Sequence, residues 1–175
     1  MAIKTIFLDR DGVINQDFGY VHKIENFEFI DGIFDSCRFF QKLNYQIIII
    51  TNQSGIARGY FTEKDHQALN KWMVDQFNLK GISILDTFYC PHGPKSQCNC
   101  RKPQPGMFLN AQIKYNIDMQ NSWMIGDSER DIIAANSAGI TNTILLSAKD
   151  GLEINKSNAK FKINSIKDSQ EIILE

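Results

Sequence analysis

No apolar run in the sequence approaches the roughly 20 residues that a membrane-spanning helix needs, so nothing in it asks for a bilayer. A charge bias is missing too, since 19 Lys and Arg against 20 Asp and Glu leave a formal net charge of −1. A near-neutral chain gives no electrostatic reason to expect nucleic acid or an anionic membrane as partner. The first residues enter a strand-like pattern at once, without a charged leader, a long apolar stretch and a small-residue cleavage site. A cytoplasmic protein that acts as a monomer is the expectation. Cysteine is scarce, and three of the four residues crowd beside a histidine, which reads as a metal site rather than as two disulfides. The fourth, Cys37, lies among apolar residues and reads as a small core side chain. No repeat, linker or low-complexity tract divides the 175 residues, which suffice to bury a real core, so one domain over 1–175 is expected.

What is present is an alternation of short apolar runs with amphipathic segments, the pattern of a mostly parallel sheet covered by helices on both sides. Strands are expected at Ile3–Leu8, Ile47–Ile50, Ile84–Tyr89, Trp123–Gly126 and Thr143–Leu146. Apolar spacing predicts a helix over Asp31–Leu43, and Thr62 with Asp65 resembles a capping box opening a helix to about Leu79. Further helices are expected from Pro105 and Gly106 to about Tyr115, and over Glu129–Ala138. Residues 13–30 are aromatic-rich and irregular, too few for a separate domain. After Lys149 the chain turns polar, with a last strand near Phe161 and a short helix after Ser165.

Three apolar strands end in polar clusters: Asp9 to Gly12, Thr51 to Gly55, and Asp127 to Asp131. In open α/β sheets ligands bind at the carboxyl ends of strands, where the strand order reverses, so these clusters belong on one rim. Two aspartates two residues apart can divide the labour of phosphoryl transfer. Asp9 would attack phosphorus, and Asp11 would protonate the leaving oxygen and later activate water. Crowded carboxylates repel unless a cation sits among them, and a hard, oxygen-liking ion such as Mg²⁺ answers that need with Asp127 as a further carboxylate. Asp131, one helical turn on, would stand behind these ligands. The Thr51 hydroxyl and the backbone N–H groups of Asn52 and Gln53 would hold the phosphoryl oxygens. Lys102 would be the point charge on the transferred group, and Arg101 can make bidentate contacts to a phosphate. Taken singly, each cluster also reads as a turn, a capping loop or a solvated surface pair. Their succession, each at the mouth of an apolar strand, points to chemistry.

The metal loop, about 90–105, carries Cys90-Pro91-His92 and Cys98-Asn99-Cys100, a three-sulfur, one-nitrogen set suited to tetrahedral Zn²⁺. All four positions are filled, which marks a structural staple. Arg101 and Lys102 follow the last ligand directly, so the metal would fix where those cations point.

Asp-Arg-Asp-Gly, the Thr-Asn strand end, the Lys and the Gly-Asp-x-x-x-Asp segment together resemble the haloacid dehalogenase superfamily. Gly-Tyr-Val-His (19–22), Phe-Glu-Phe-Ile-Asp-Gly (27–32), Thr-Asn-Gln-Ser-Gly-Ile-Ala-Arg-Gly (51–59) and Cys-Arg-Lys-Pro-Gln-Pro-Gly-Met (100–107) are similar to its D-glycero-D-manno-heptose 1,7-bisphosphate 7-phosphatase family. The resemblance runs from Ile3 to about Leu146. It implies a Rossmann-like three-layer sandwich without a large cap domain, residues 13–30 offering only a flap. It implies Asp9 as nucleophile and Asp11 as proton donor. Mg²⁺ would be held by the Asp9 and Asp127 carboxylates and the Asp11 carbonyl, and Zn²⁺ by the cysteine-rich loop. Substrate contacts would come from Asp17, Phe18, Gly19 and Tyr20, from Thr51, Asn52, Gln53 and Ser54, and from Arg101 and Lys102. The implied partner is a small sugar bisphosphate, the implied reaction hydrolysis of its C7 phosphate, with the β anomer favoured, on the way to nucleotide-activated heptose for lipopolysaccharide core. The chain departs from relatives in a shorter zinc loop and in Ser128, where others carry Lys. Histidinol-phosphate phosphatases share the catalytic motifs and a similar zinc loop, so that activity stays open as an alternative. A polynucleotide 3′-phosphatase would want a basic face and stacking aromatics, and the near-zero net charge argues against one. A zinc-stapled binding module without catalysis would have no need of Asp9, Asp11, Lys102 and Asp127 together.

Overall fold

The computed structural model describes residues 2–147 and 157–174. Six strands, β1 (Thr5–Leu8), β2 (Gln46–Asn52), β3 (Asp86–Cys90), β4 (Trp123–Gly126), β5 (Asn142–Leu146) and β6 (Phe161–Ile163), form a sheet in the order β3-β2-β1-β4-β5-β6. Every pairing is parallel. Helices α1 (Ile33–Lys42), α2 (Glu63–Leu79), α3 (Gly106–Tyr115), α4 (Glu129–Ser137) and α5 (Ser169–Ile172) cover its two faces. Among the described residues there is no cap domain and no helix long and apolar enough to cross a membrane.

The isoleucine run of β2 shows why the sheet takes this form. Ile47 and Ile49 pack with Phe40 of α1 and with Leu69, Met73 and Phe77 of α2. Ile48 and Ile50 point the other way, toward Phe108 and Ala111 of α3 and the alanines of α4. A strand buried on both faces needs apolar residues at successive positions, and each such side chain is worth about 1.5–3 kcal/mol when removed from water. Cys37 is fully buried in the first of these clusters, as its neighbours in sequence suggest. Thr62 and Asp65 do form a capping box, the Thr62 hydroxyl accepting from Asp65 N–H at 3.2 Å and the Asp65 carboxylate from Thr62 N–H at 2.7 Å.

The elements differ from the sequence reading in several places. Strand β3 begins at Asp86 rather than Ile84 and continues to Cys90, which pairs with Asn52. Helix α1 begins at Ile33, because Gly32 holds φ at 85°, a left-handed conformation that cannot continue into a helix. The root of the 13–30 flap is core rather than loop: Val13, Ile14, Val21 and Phe27 are buried, and Ile30 N–H donates to the Ile14 carbonyl at 2.9 Å. The last strand and helix are β6 and α5, while the polar stretch opening at Lys149 lies outside the described residues as far as 156.

The chain runs outward from β1 through β2 to β3, then returns to β4 on the other side of β1. That reversal opens a crevice beyond the carboxyl ends of β1 and β4, where Asp9 and Asp127 stand.

Candidate active site

Asp9 follows β1 directly and its N–H donates to the Ile125 carbonyl of β4 at 3.1 Å, so the neighbouring strand fixes its backbone. Its Oδ1 accepts from Lys102 Nζ at 2.9 Å and from the Arg10 N–H at 2.8 Å. Both donors go to Oδ1, Oδ2 has no hydrogen-bond donor among the described residues, and Asp9 lines the cleft. Asp127 follows β4 and Asp131 lies in the first turn of α4. Oxygens of Asp9, Asp127 and Asp131 lie within 4.8 Å of one another. Burial, and then the Asp131 charge, push the Asp9 carboxyl well above its ordinary range, and the same two causes bring Asp127 up to about 7. A hard divalent cation would remove that repulsion, and the all-oxygen donor set fits one. Close approach is possible because residue 12 is glycine. Its φ is +88°, and a Cβ there would overlap the Asp127 carboxylate.

Lys102 is 2% exposed and its ammonium is saturated. It donates to Asp9 Oδ1 at 2.9 Å, Asp131 Oδ1 at 2.6 Å and the Ile50 carbonyl at 2.9 Å. Burial alone would depress its pKa, but the Asp131 and Asp9 carboxylates outweigh that and hold it above the ordinary lysine value. The cation expected beside the phosphoryl group thus also contacts the nucleophile candidate, through Asp9 Oδ1. Its backbone is held from another direction as well. The Asn52 side chain accepts from Lys102 N–H at 3.0 Å and donates to its carbonyl at 3.1 Å. The cysteine-rich loop is thus not alone in placing Lys102.

Asp11 has three donors of its own. Oδ1 accepts from Arg10 Nη2 at 2.8 Å and Asn15 Nδ2 at 3.0 Å, and Oδ2 accepts from Gln53 Nε2 at 3.0 Å. Gln53 Nε2 also donates to the Thr51 hydroxyl at 2.8 Å. The Gln53 N–H donates to the Cys90 carbonyl at 2.8 Å, so the anticipated backbone contact from Gln53 to a phosphoryl oxygen is not available, and its side chain reaches the cleft instead. Asp9, Asp11, Asp17, Gly19, Tyr20, Asn52, Gln53, Ser54, Arg101, Lys102 and Asp127 all line one cleft of about 360 Å³. Two expected contacts do not. Thr51 lies beneath the floor, and Phe18 is 61% exposed outside the rim.

The C-terminal part of the chain, residues 99–168, matches the HAD-hydrolase-like family model. The chain is 43% identical to the D-glycero-β-D-manno-heptose-1,7-bisphosphate 7-phosphatase of Vibrio cholerae serotype O1, over 99% of its own length and 98% of the relative's. It is 47% identical to the D-glycero-α-D-manno-heptose-1,7-bisphosphate 7-phosphatase of Photorhabdus laumondii, over 82% of each. The chain belongs to the heptose 1,7-bisphosphate 7-phosphatase family. Its fold matches the D,D-heptose 1,7-bisphosphate phosphatase of B. bronchiseptica, solved with magnesium and phosphate, with a TM-score of 0.85 at 31% identity over 97% of both chains.

Beside this cleft the second anticipated cluster is assembled. Cys90, His92, Cys98 and Cys100 bring one ligand atom each within 4.8 Å of the others. Cys90 Sγ is 3.8 Å from Cys98 Sγ, 3.3 Å from Cys100 Sγ and 3.4 Å from His92 Nδ1. Metal–sulfur bonds of about 2.3 Å at tetrahedral angles place sulfurs about 3.8 Å apart, whereas a disulfide needs about 2.05 Å. The set therefore fits a metal and not a bridge. Burial holds the Cys90 thiol up at about 12, so a cation is what would bring it to the thiolate.

Sequence reasoning missed three arginines. Arg10 has no role in the sequence reading, yet it is 1% exposed and its Nη2 joins Asp11 to the Val21 carbonyl at 2.7 Å, tying the flap to the loop that follows β1. Arg58 and Arg130 also line the cleft. Arg58 sits in the 51–59 motif, which could have signalled it. Arg130 is the second residue of a helix, and nothing local distinguishes it from a surface residue.

Proposed function

We propose that the chain hydrolyses the C7 phosphate of D-glycero-D-manno-heptose 1,7-bisphosphate, releasing heptose 1-phosphate and inorganic phosphate. The observation that carries this reading is the Asp9 carboxylate, gripped at Oδ1 by Lys102 and the Arg10 N–H and open at Oδ2, in a cleft it shares with Asp11 and Asp127. Asp9 Oδ2 attacks phosphorus in line, an acyl-phosphate bond forms, and the bond from phosphorus to the C7 oxygen breaks. Asp11 gives that oxygen its proton. It then takes a proton from a water molecule that attacks the phosphorylated Asp9, which returns the carboxylate and frees phosphate. Arg10, Asn15 and Gln53 hold Asp11 on the flank where both transfers occur. The Asp9 and Asp127 carboxylates, with the Asp11 carbonyl, would hold Mg²⁺, which would neutralise charge on the phosphoryl oxygens. The β anomer is taken as the substrate because the relative matched over nearly its whole length is named for it.

Phosphate release from the β and α bisphosphates and from histidinol phosphate, each with and without magnesium, tests the reading. The β bisphosphate should give the highest kcat/KM, and only with magnesium. Equal or better turnover of histidinol phosphate would replace this substrate with that one.

The cysteine-rich cluster is read as structural Zn²⁺. It pins Arg101, whose Nη1 donates to the His92 carbonyl at 3.3 Å, at the mouth of the cleft. Cys98→Ala should lose bound zinc and lower kcat/KM on the order of 10- to 100-fold, the cost of a site misplaced by about 1 Å, while far-ultraviolet circular dichroism stays near that of the parent. Full activity in a zinc-free variant would overturn the positional role.

A further inference from the structure

The chain has five arginines. Arg10 pairs with Asp11 and Arg38 with Asp35. The other three, Arg58, Arg101 and Arg130, make no ion pair among the described residues, and all three line the same cleft. They arrive from separate places: the loop after β2, the end of the metal loop and the first turn of α4. Guanidinium groups scattered on a surface by chance would not converge in this way. The reacting phosphoryl group of the proposed reaction would sit at Asp9, which with Lys102 is buried.

Arg130 is the least committed of the three. Arg58 lies over the Tyr20 ring, 5.9 Å from its centroid, and Arg101 donates to the His92 carbonyl. The acids on either side of Arg130 each have a partner other than Arg130. Glu129 Oε1 accepts from Asn158 N–H at 3.0 Å, and Asp131 is held by Lys102 and by the Ser128 N–H and hydroxyl. No hydrogen bond or ion pair engages the Arg130 guanidinium among the described residues. It also lines, with Arg101, a second cavity of about 540 Å³ formed by the metal loop, so these two side chains stand where the two hollows meet. The N-terminus of α4 adds its partial positive charge there.

We propose that Arg130 is a specificity-determining residue that binds the second, non-reacting phosphate of a bisphosphate substrate, between its own guanidinium and that of Arg101. This rests on the bisphosphate reading above. Bidentate contact from a planar guanidinium to a phosphate is strong and directional, and the mouth of the cleft lies beyond the buried reacting end.

Two substrates differing only at C1, heptose 1,7-bisphosphate and heptose 7-phosphate, test this in the wild-type protein, Arg130→Gln and Arg130→Lys. Loss of one charge-assisted contact should lower the preference for the bisphosphate, as a ratio of kcat/KM values, by roughly 10- to 100-fold in Arg130→Gln. The loss should appear in KM rather than kcat, and Arg130→Lys should recover part of it. An Arg130→Gln protein that keeps the wild-type preference overturns the inference and leaves the bisphosphate reading intact. A wild-type protein with no preference between the two substrates overturns both.

Discussion

Asp9→Asn is expected to remove turnover, by about 10⁵- to 10⁶-fold in kcat, the scale seen when a covalent nucleophile is deleted from an otherwise intact site. The argument follows from which oxygen is held. Lys102 and the Arg10 N–H both donate to Oδ1, so an asparagine settles with its carbonyl oxygen in that position and its NH₂ where Oδ2 was. The attacking atom is then an amide nitrogen, which neither attacks phosphorus nor leaves it. The fold should survive, because the substitution also relieves the repulsion from Asp131 and Asp127 that pushes the Asp9 carboxyl upward. Rapid quenching followed by mass measurement should find a phosphorylated wild-type chain and an unmodified variant. Asp11→Asn separates the roles: a smaller loss of about 10²- to 10⁴-fold, with phosphorylated protein accumulating when the lost base slows its hydrolysis more than the lost acid slows its formation. Wild-type rates in Asp9→Asn would exclude the covalent route.

The aspartates could be read from sequence because strand ends announce themselves. Four consecutive isoleucines or Ile-Phe-Leu followed by a polar cluster fixes both the strand and the rim on which the cluster sits. The order of strands then does the rest, bringing Asp9 and Asp127 together across β1 and β4. The four metal-loop ligands were legible for a similar reason, since close spacing in sequence confines them in space. What sequence could not provide was the partner of each group. Asn52 belongs to a motif read as a substrate contact, yet its amide clamps the Lys102 backbone 50 residues away. Lys102 reads as a free cation until the fold surrounds it with Asp9, Asp131 and the Ile50 carbonyl. Arg130 is invisible for the opposite reason. Its significance lies in having its flanking acids taken by Asn158 and Lys102, and those contacts exist only in three dimensions.

Lys102→Met should be the most destabilising of the substitutions considered, by about 3–5 kcal/mol, because it leaves buried carboxylates without their counter-charge. Methionine fills much of the same volume, so the loss is electrostatic rather than a cavity. Asp131 has the most to lose. It is 1% exposed, and its Oδ1 has lost a partner at 2.6 Å, whereas Asp9 keeps the Arg10 N–H. Asp9, whose carboxyl burial and the Asp131 charge already push up, loses the ammonium that opposes them, so the folded variant takes up a proton there more readily than the unfolded chain and should regain stability as pH falls. Adding Asp131→Asn removes the stranded charge while keeping one acceptor for the Ser128 N–H. The double variant should therefore be more stable than Lys102→Met alone at neutral pH, the non-additivity expected of groups in direct contact. Denaturant midpoints of the four proteins at two pH values decide the matter. If the two substitutions add, the ammonium and Asp131 act independently, and Lys102 must be placed by Asn52 and the metal loop alone.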